Sequence, residues 1–261
     1  MNNHSTSSNW LALAIGNSRL HWAWFKSDYL VEVWDSKHLS TEVKKEQLLQ
    51  EVLPINLSAK SLPQLPIYLA SVVPQQTKLW QDYLYLRKIT LKDIVLKNIY
   101  PTMGIDRALA TWGAGETYGY PCLVIDGGTA LTFTGVDQKQ RLVGGAIVPG
   151  LRAQFSSLRQ KTAALPEITL PSSLPPRWAL DTDNAIASGV IYTVIAGIHS
   201  YIIDWFQQFP DSQIVLTGGD SDLLSRYWQI QFPKVSPEII IDPHLVFRGM
   251  ELVHRRNKTF V

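Results

Sequence analysis

A single cysteine, Cys122, in 261 residues excludes an intrachain disulfide framework and any cysteine-rich metal centre. It lies in an apolar run that reads as a strand, so it is expected to be a buried structural thiol rather than a nucleophile. Charge is scarce. Only 18% of residues are charged, and 24 basic against 22 acidic side chains leave a net +2. That balance gives no electrostatic basis for binding nucleic acid or a membrane surface. Residues 1–9 lack the apolar core of a signal peptide and read as a disordered polar tail. No low-complexity linker divides the chain. Residues 184–203 contain no Asp, Glu, Lys or Arg, His199 being their one titratable base, and their length suits a bilayer. Against a span stand Ser188, Tyr192, Thr193, Ser200 and Tyr201 within it, Asp181, Asp183 and Asp204 around it, and no basic flank. The segment reads as the buried helix of a soluble protein.

What is present is a 46% hydrophobic composition, enough for one large domain or two small ones. Nine scattered tryptophans suit packing rather than a ligand cage. The most informative stretch runs from Cys122 to Thr134. An apolar run meets Asp126-Gly127-Gly128-Thr129, and an alternating Thr-rich run leaves it. This predicts strand, tight turn, strand. Glycines let backbone N–H groups approach a phosphate, a threonine hydroxyl adds a contact, and a carboxylate at the strand end can hold a cation. An ordinary Asp-Gly hairpin is the plain alternative. A weaker copy occurs about a hundred residues earlier, where the apolar run from Trp10 to Ile15 meets Gly16-Asn17-Ser18 and a second strand follows. Two such units suggest duplicated halves, each with one phosphate turn.

The chain resembles the type III pantothenate kinases of the acetate and sugar kinase/Hsp70/actin superfamily. The matching motifs run in order from about Trp10 to about Val253: Gly16-Asn17-Ser18, Ser71-Val72-Val73-Pro74, Gly104-Ile105-Asp106-Arg107, Asp126-Gly127-Gly128-Thr129-Ala130, Gly144-Gly145-Ala146-Ile147-Val148-Pro149-Gly150 and Thr217-Gly218-Gly219-Asp220. The resemblance implies an α/β fold of two duplicated actin-like (ribonuclease H-like) lobes, with mixed sheets and a nucleotide cleft between them. The expected lobes are 10–119 and 120–261, with the C-terminal helix a candidate to pack back on the first. The implied reaction is ATP-dependent phosphorylation of pantothenate to 4′-phosphopantothenate, the first step toward coenzyme A. The alternative is a catalytically weakened regulatory or accessory-factor member of the same family.

The same resemblance assigns roles. ATP is implied to lie on Gly16, Asn17, Ser18 and His21 and on Gly127, Gly128, Thr129, Gly218 and Gly219. Asp106 is the implied general base, since a carboxylate can accept the proton of an attacking alcohol. Arg107 can bind the substrate carboxylate bidentately. Tyr100, Gly104, Ile105 and Thr182 complete the implied pantothenate contacts. Asp126 is the implied ligand of a monovalent cation, potassium or ammonium, with Mg2+ accompanying ATP. A homodimer is implied, with 182–206 at its interface, in the cytoplasm and without nucleic acid or membrane partners. Plain readings stand beside these: Asp106-Arg107 as a surface helix start, Asp126 as an Asx-turn residue, Thr182 as a helix N-cap, and His21 as a strand surface residue. One residue departs from the family pattern: Ala14 stands where the first phosphate motif starts with Asp.

Further elements are expected as a third strand at 32–34, helices over 41–52 and 75–86, strands over 66–73 and 93–95, and a helix over 106–118. A strand over 141–148 follows, then a helix over 151–164, the long helix from Thr182, strands at 213–216 and 239–241, and a helix from Pro243.

Overall fold

The structure is a computed structural model and describes residues 9–41, 65–233 and 238–258. The expected tail and the helix over 41–52 fall outside these residues apart from their end positions Asn9 and Thr41, and Asn9 already belongs to a strand. The chain forms two compact units. The first holds the described residues up to Val95, Tyr100–Gly113 and those from Val246 on; the second holds Leu96–Ile99 and Ala114–Leu245.

In the first unit, β1 (Asn9–Ile15) is buried along nearly its whole length, as expected of a central strand covered on both faces. It pairs antiparallel with β2 (Leu20–Lys26), which pairs antiparallel with β3 (Tyr29–Ser36). On its other side β1 pairs in parallel with β4 (Ile67–Ser71), and β4 with β5 (Leu86–Lys88). One face of this sheet buries Leu11, Leu13, Leu20, Trp22 and Leu69 against Trp80 and Tyr83. On the other face, the Trp10 ring stacks between Phe25 and His254, at 4.2 Å from each.

The second unit repeats the plan. β6 (Cys122–Gly127), β7 (Ala130–Val136) and β8 (Leu142–Pro149) form an antiparallel meander. β6 also pairs in parallel with β9 (Gln213–Thr217), and β9 with β10 (Ile239–Ile241). The strand orders β3-β2-β1-β4-β5 and β10-β9-β6-β7-β8 are therefore one design used twice. The long apolar helix (Thr182–Gln208) buries Ile191, Ile195, Ile198 and Ile202 in a core with Leu123, Ile125 and Phe133. By length and composition it is able to cross a membrane, but those isoleucines are core residues of this unit. Cys122 is a buried free thiol, and burial pushes it up to about 12. Trp10, Trp22 and Trp80 are packing residues, whereas Trp178 is exposed.

Four expectations change. The helix over 75–86 is short, α1 (Pro74–Lys78). Beyond it the chain turns, so that Trp80 and Tyr83 enter the core and Leu86 begins an edge strand. The strand at 93–95 is absent. Asp93 instead caps a turn of 3-10 helix, Leu91–Asp93, its carboxylate accepting from the Thr90 N–H at 2.8 Å. A helix not expected, Ser221–Gln231, follows the Gly218-Gly219 turn, with Leu224, Tyr227 and Trp228 on its buried face. The last helix starts at Leu245 rather than Pro243, because Asp242 accepts the His244 N–H in a preceding turn. The remaining helices are α2 (Ile105–Tyr118), α3 (Leu151–Lys161), α4 (Thr182–Gln208), α5 (Ser221–Gln231) and α6 (Leu245–Lys258).

Candidate functional site

In the first unit, polar groups gather at the ends of β1 and β4. The Gly16 N–H donates to the Arg19 carbonyl at 3.1 Å, closing the turn with Asn17 and Ser18 exposed at its tip. Beside it, the Val72 N–H donates to the Ile15 carbonyl at 3.1 Å. Ser71 Oγ accepts the Val73 N–H at 3.1 Å and the Thr77 hydroxyl at 2.8 Å. The Ser71-Val72-Val73-Pro74 motif is thus a capped strand-to-helix corner that fixes the backbone next to the first turn.

The start of α2 lies against this corner. A methyl group on Gly104 would sit 2.5 Å from Asp106 Oδ1 and 3.9 Å from Val72 Cγ1, so glycine at 104 makes room for the carboxylate. Asp106 Oδ1 accepts the Arg107 N–H at 2.8 Å. Burial pushes the Asp106 carboxyl above the ordinary aspartate value, and that backbone bond and the Arg107 charge offset part of the effect. Arg107 is buried, and its Nη1 donates to the Tyr100 hydroxyl at 3.0 Å. Tyr100, Gly104, Asp106 and Arg107 therefore come together, while the Ile105 side chain is buried and leaves only its backbone for a ligand.

In the second unit three turns converge. The Gly128 N–H donates to the Ala130 carbonyl at 2.9 Å and closes the turn between β6 and β7, with Thr129 exposed. The Gly150 N–H, at the start of α3, donates to the Thr129 carbonyl at 3.0 Å, and the Asp220 N–H donates to the Gly127 carbonyl at 2.9 Å. Gly218 has φ +88, and a methyl group there would lie 2.3 Å from Asp126 Oδ1. Its glycine identity is required both by that backbone conformation and by the closeness of the Asp126 carboxylate. Asp126 lies in register with Thr132 and Thr217 on the flanking strands. Gly127, Gly128, Thr129, Gly218 and Gly219 thus form one glycine-rich surface around one carboxylate. Thr182 is the first residue of α4 and is exposed, but it is not the N-cap: Asp181 Oδ1 accepts the Asn184 N–H at 2.9 Å.

The sequence model of the type III pantothenate kinase family matches residues 10–204. A type III pantothenate kinase of Nostoc sp. is 49% identical over 258 residues, covering 94% of each chain. The chain belongs to the type III pantothenate kinase family. Among solved structures, a Campylobacter jejuni protein named for the Baf family of transcriptional activators is 20% identical, with a TM-score of 0.59, and the match covers 95% of this chain and 99% of that one. MreB5 of Spiroplasma citri bound to AMPPNP is 10% identical, with a TM-score of 0.55 over 97% of this chain and 98% of that one. These two likenesses speak for the fold, the two-lobed α/β fold of actin, Hsp70 and sugar kinases.

For a member of this kinase family, the sequence reading passed over Arg152 and Asp220. Arg152 Nη2 donates to the largely buried Asp220 Oδ1 at 3.2 Å, which sets a guanidinium in the first turn of α3. The signal available was Asp220 inside the quoted Thr-Gly-Gly-Asp run and Arg152 two residues after Gly150. Among the described residues no three His, Cys, Asp or Glu side chains cluster as a metal centre. One carboxylate beside hydroxyls and carbonyls suits a weakly held cation. Mg2+ usually keeps several waters and takes its other ligands from substrate phosphates.

Proposed function

We propose that the chain transfers the γ-phosphoryl group of ATP to the primary hydroxyl of pantothenate, giving 4′-phosphopantothenate and ADP, the first step toward coenzyme A. The observation that carries this reading is the start of α2. There, Asp106 is partly buried with a raised carboxyl, next to the buried guanidinium of Arg107, in a chain of this family. Asp106 accepts the hydroxyl proton as the oxygen attacks; Arg107, steadied by Tyr100, meets the pantothenate carboxylate, and Thr182 adds a hydrogen bond. The family resemblance assigns Gly16, Asn17, Ser18 and His21 to ATP phosphates, and likewise Gly127, Gly128 and Thr129. Gly218 and Gly219 pass the adenosine. This is a division of labour by positioning, which phosphoryl transfer requires more than covalent chemistry. When bound, Mg2+ would accompany ATP and Asp126 would hold potassium or ammonium; these ions would supply neutralisation of phosphate charge.

Each proposed lobe contains one of the two equivalent sheets, with α6 counted in the first. A homodimer is favoured by an exposed stripe of small residues along α4, Ala185, Gly189, Thr193, Ala196 and Ser200, which permits close helix approach. The protein is soluble and cytoplasmic, without nucleic acid or membrane partners. Asp106, Arg107, Asp126 and Thr129 are all present, which speaks against a regulatory member that has lost catalysis. The test is a coupled ADP-release assay on the purified chain. ADP release that depends on pantothenate is expected, and equal rates with and without it would overturn the reading.

A further inference from the structure

We propose that Asp35 is a positioning residue for the first phosphate turn, acting through His21; this rests on the proposed function. Asp35 lies on β3, at the edge of its sheet, and each of its carboxylate oxygens takes one partner. Oδ1 is 2.6 Å from His21 Nδ1, and Oδ2 accepts from Arg19 Nη1 at 2.7 Å. A carboxylate can only accept, so His21 Nδ1 carries a proton and Nε2 is the nitrogen left for another partner. That nitrogen is beside the turn: a methyl group on Gly16 would lie 3.7 Å from it. At the same residue, His38 Nε2 is 2.8 Å from the Gly16 carbonyl. Two imidazoles therefore lie beside a turn whose tip residues are exposed.

The strand register explains why Asp35 matters. Ala14, His21 and Asp35 are directly opposite one another across β1, β2 and β3. Opposed residues share a face, and neighbouring strands are about 4.8 Å apart. Ala14 offers His21 only a methyl group, so in this row the ring is held from the β3 side. An imidazole has a broad, roughly two-fold torsion about its outer bond. Without Asp35 the ring samples orientations that turn Nε2 away from Gly16. The pair is also a poor stabiliser of the fold, because side chains 41–55% exposed gain little from pairing in water. Its geometry is better explained by orientation of Nε2 toward the turn, where the imidazolium form, with a proton on each nitrogen, donates to an anion.

Titration calorimetry of the full chain with AMPPNP tests this, alongside thermal unfolding. Asp35→Asn is expected to weaken binding by about three- to tenfold with an unchanged melting temperature, and Asp35→Glu to recover part of the loss. Combining Asp35→Asn with His21→Gln is expected to bind no more weakly than His21→Gln alone, because the two act as one unit. Wild-type affinity in Asp35→Asn, or losses from the two substitutions that simply add, would overturn the proposal. If the wild-type chain binds AMPPNP with this dependence yet releases no ADP with pantothenate, the phosphorylation reading fails and the positioning role stands. If it does not bind AMPPNP at all, both fail.

Discussion

Two residues with the same functional group are placed in opposite ways. Asp106 is drawn into a partly buried corner that raises its carboxyl, whereas Asp35 stays half in solvent on an edge strand. The raised Asp106 value has a signed consequence. The folded state holds the proton more tightly than the unfolded chain, so this contribution to stability is present in acid and is lost as pH rises through the folded value. Asp106→Asn removes the ionisation. It should therefore melt higher than the parent near neutral pH, with the gain shrinking toward about pH 4. The same substitution should lower kcat about 10²- to 10⁴-fold while AMPPNP affinity is retained. In the parent, kcat/KM should fall on the acid side with a midpoint above the ordinary aspartate value of about 4, read from a pH–rate profile. Asp106 and Arg107 were legible because a short motif names them. The pairing of Arg152 with Asp220 was not, since it joins positions 68 apart, and two motifs read separately do not show that their residues meet.

At the scale of elements, the two hairpins and their turns were readable because apolar runs broken by Gly-Asn-Ser and Asp-Gly-Gly leave few alternatives. What failed was local periodicity without tertiary context. Trp80 and Tyr83 at a spacing of three look helical, yet they enter the core from consecutive turns. The helix Ser221–Gln231 was hidden because its start coincides with the glycine turn. That turn is strained by any side chain. Gly218→Ala should lower stability by about 1–3 kcal/mol, because it combines a positive φ with a close approach to Asp126. Replacing potassium and ammonium with sodium should slow the parent, and Asp126→Ala should abolish that difference; a parent rate indifferent to the cation would remove Asp126 from this role. Ala14→Asp places a carboxylate at a buried strand position between His21 and Ala70. It should lower the melting temperature, because a buried polar group costs about 1–3 kcal/mol unless paired. A more active and equally stable variant would show that the site had merely tolerated the loss of that charge.

For the whole molecule, the duplicated sheet order is the feature that the weak sequence repeat foretold, and 10–204 is the span on which family membership stands. Association belongs to this scale. Light scattering at micromolar concentration should give twice the 29.4 kDa chain mass, and a stable monomer that still phosphorylates pantothenate would overturn the dimer. The stack of Phe25, Trp10 and His254 adds a consequence about time. A ribosome makes the chain from one end, so the tryptophan of the first described strand emerges more than two hundred residues before the imidazole that covers it. The unit begun first is thus the last to be finished. During synthesis, the sheet built on β1 has an uncovered aromatic face until α6 is released. Nascent chains halted before residue 246 should consequently be more protease-sensitive around Trp10 and more dependent on chaperones than the complete protein.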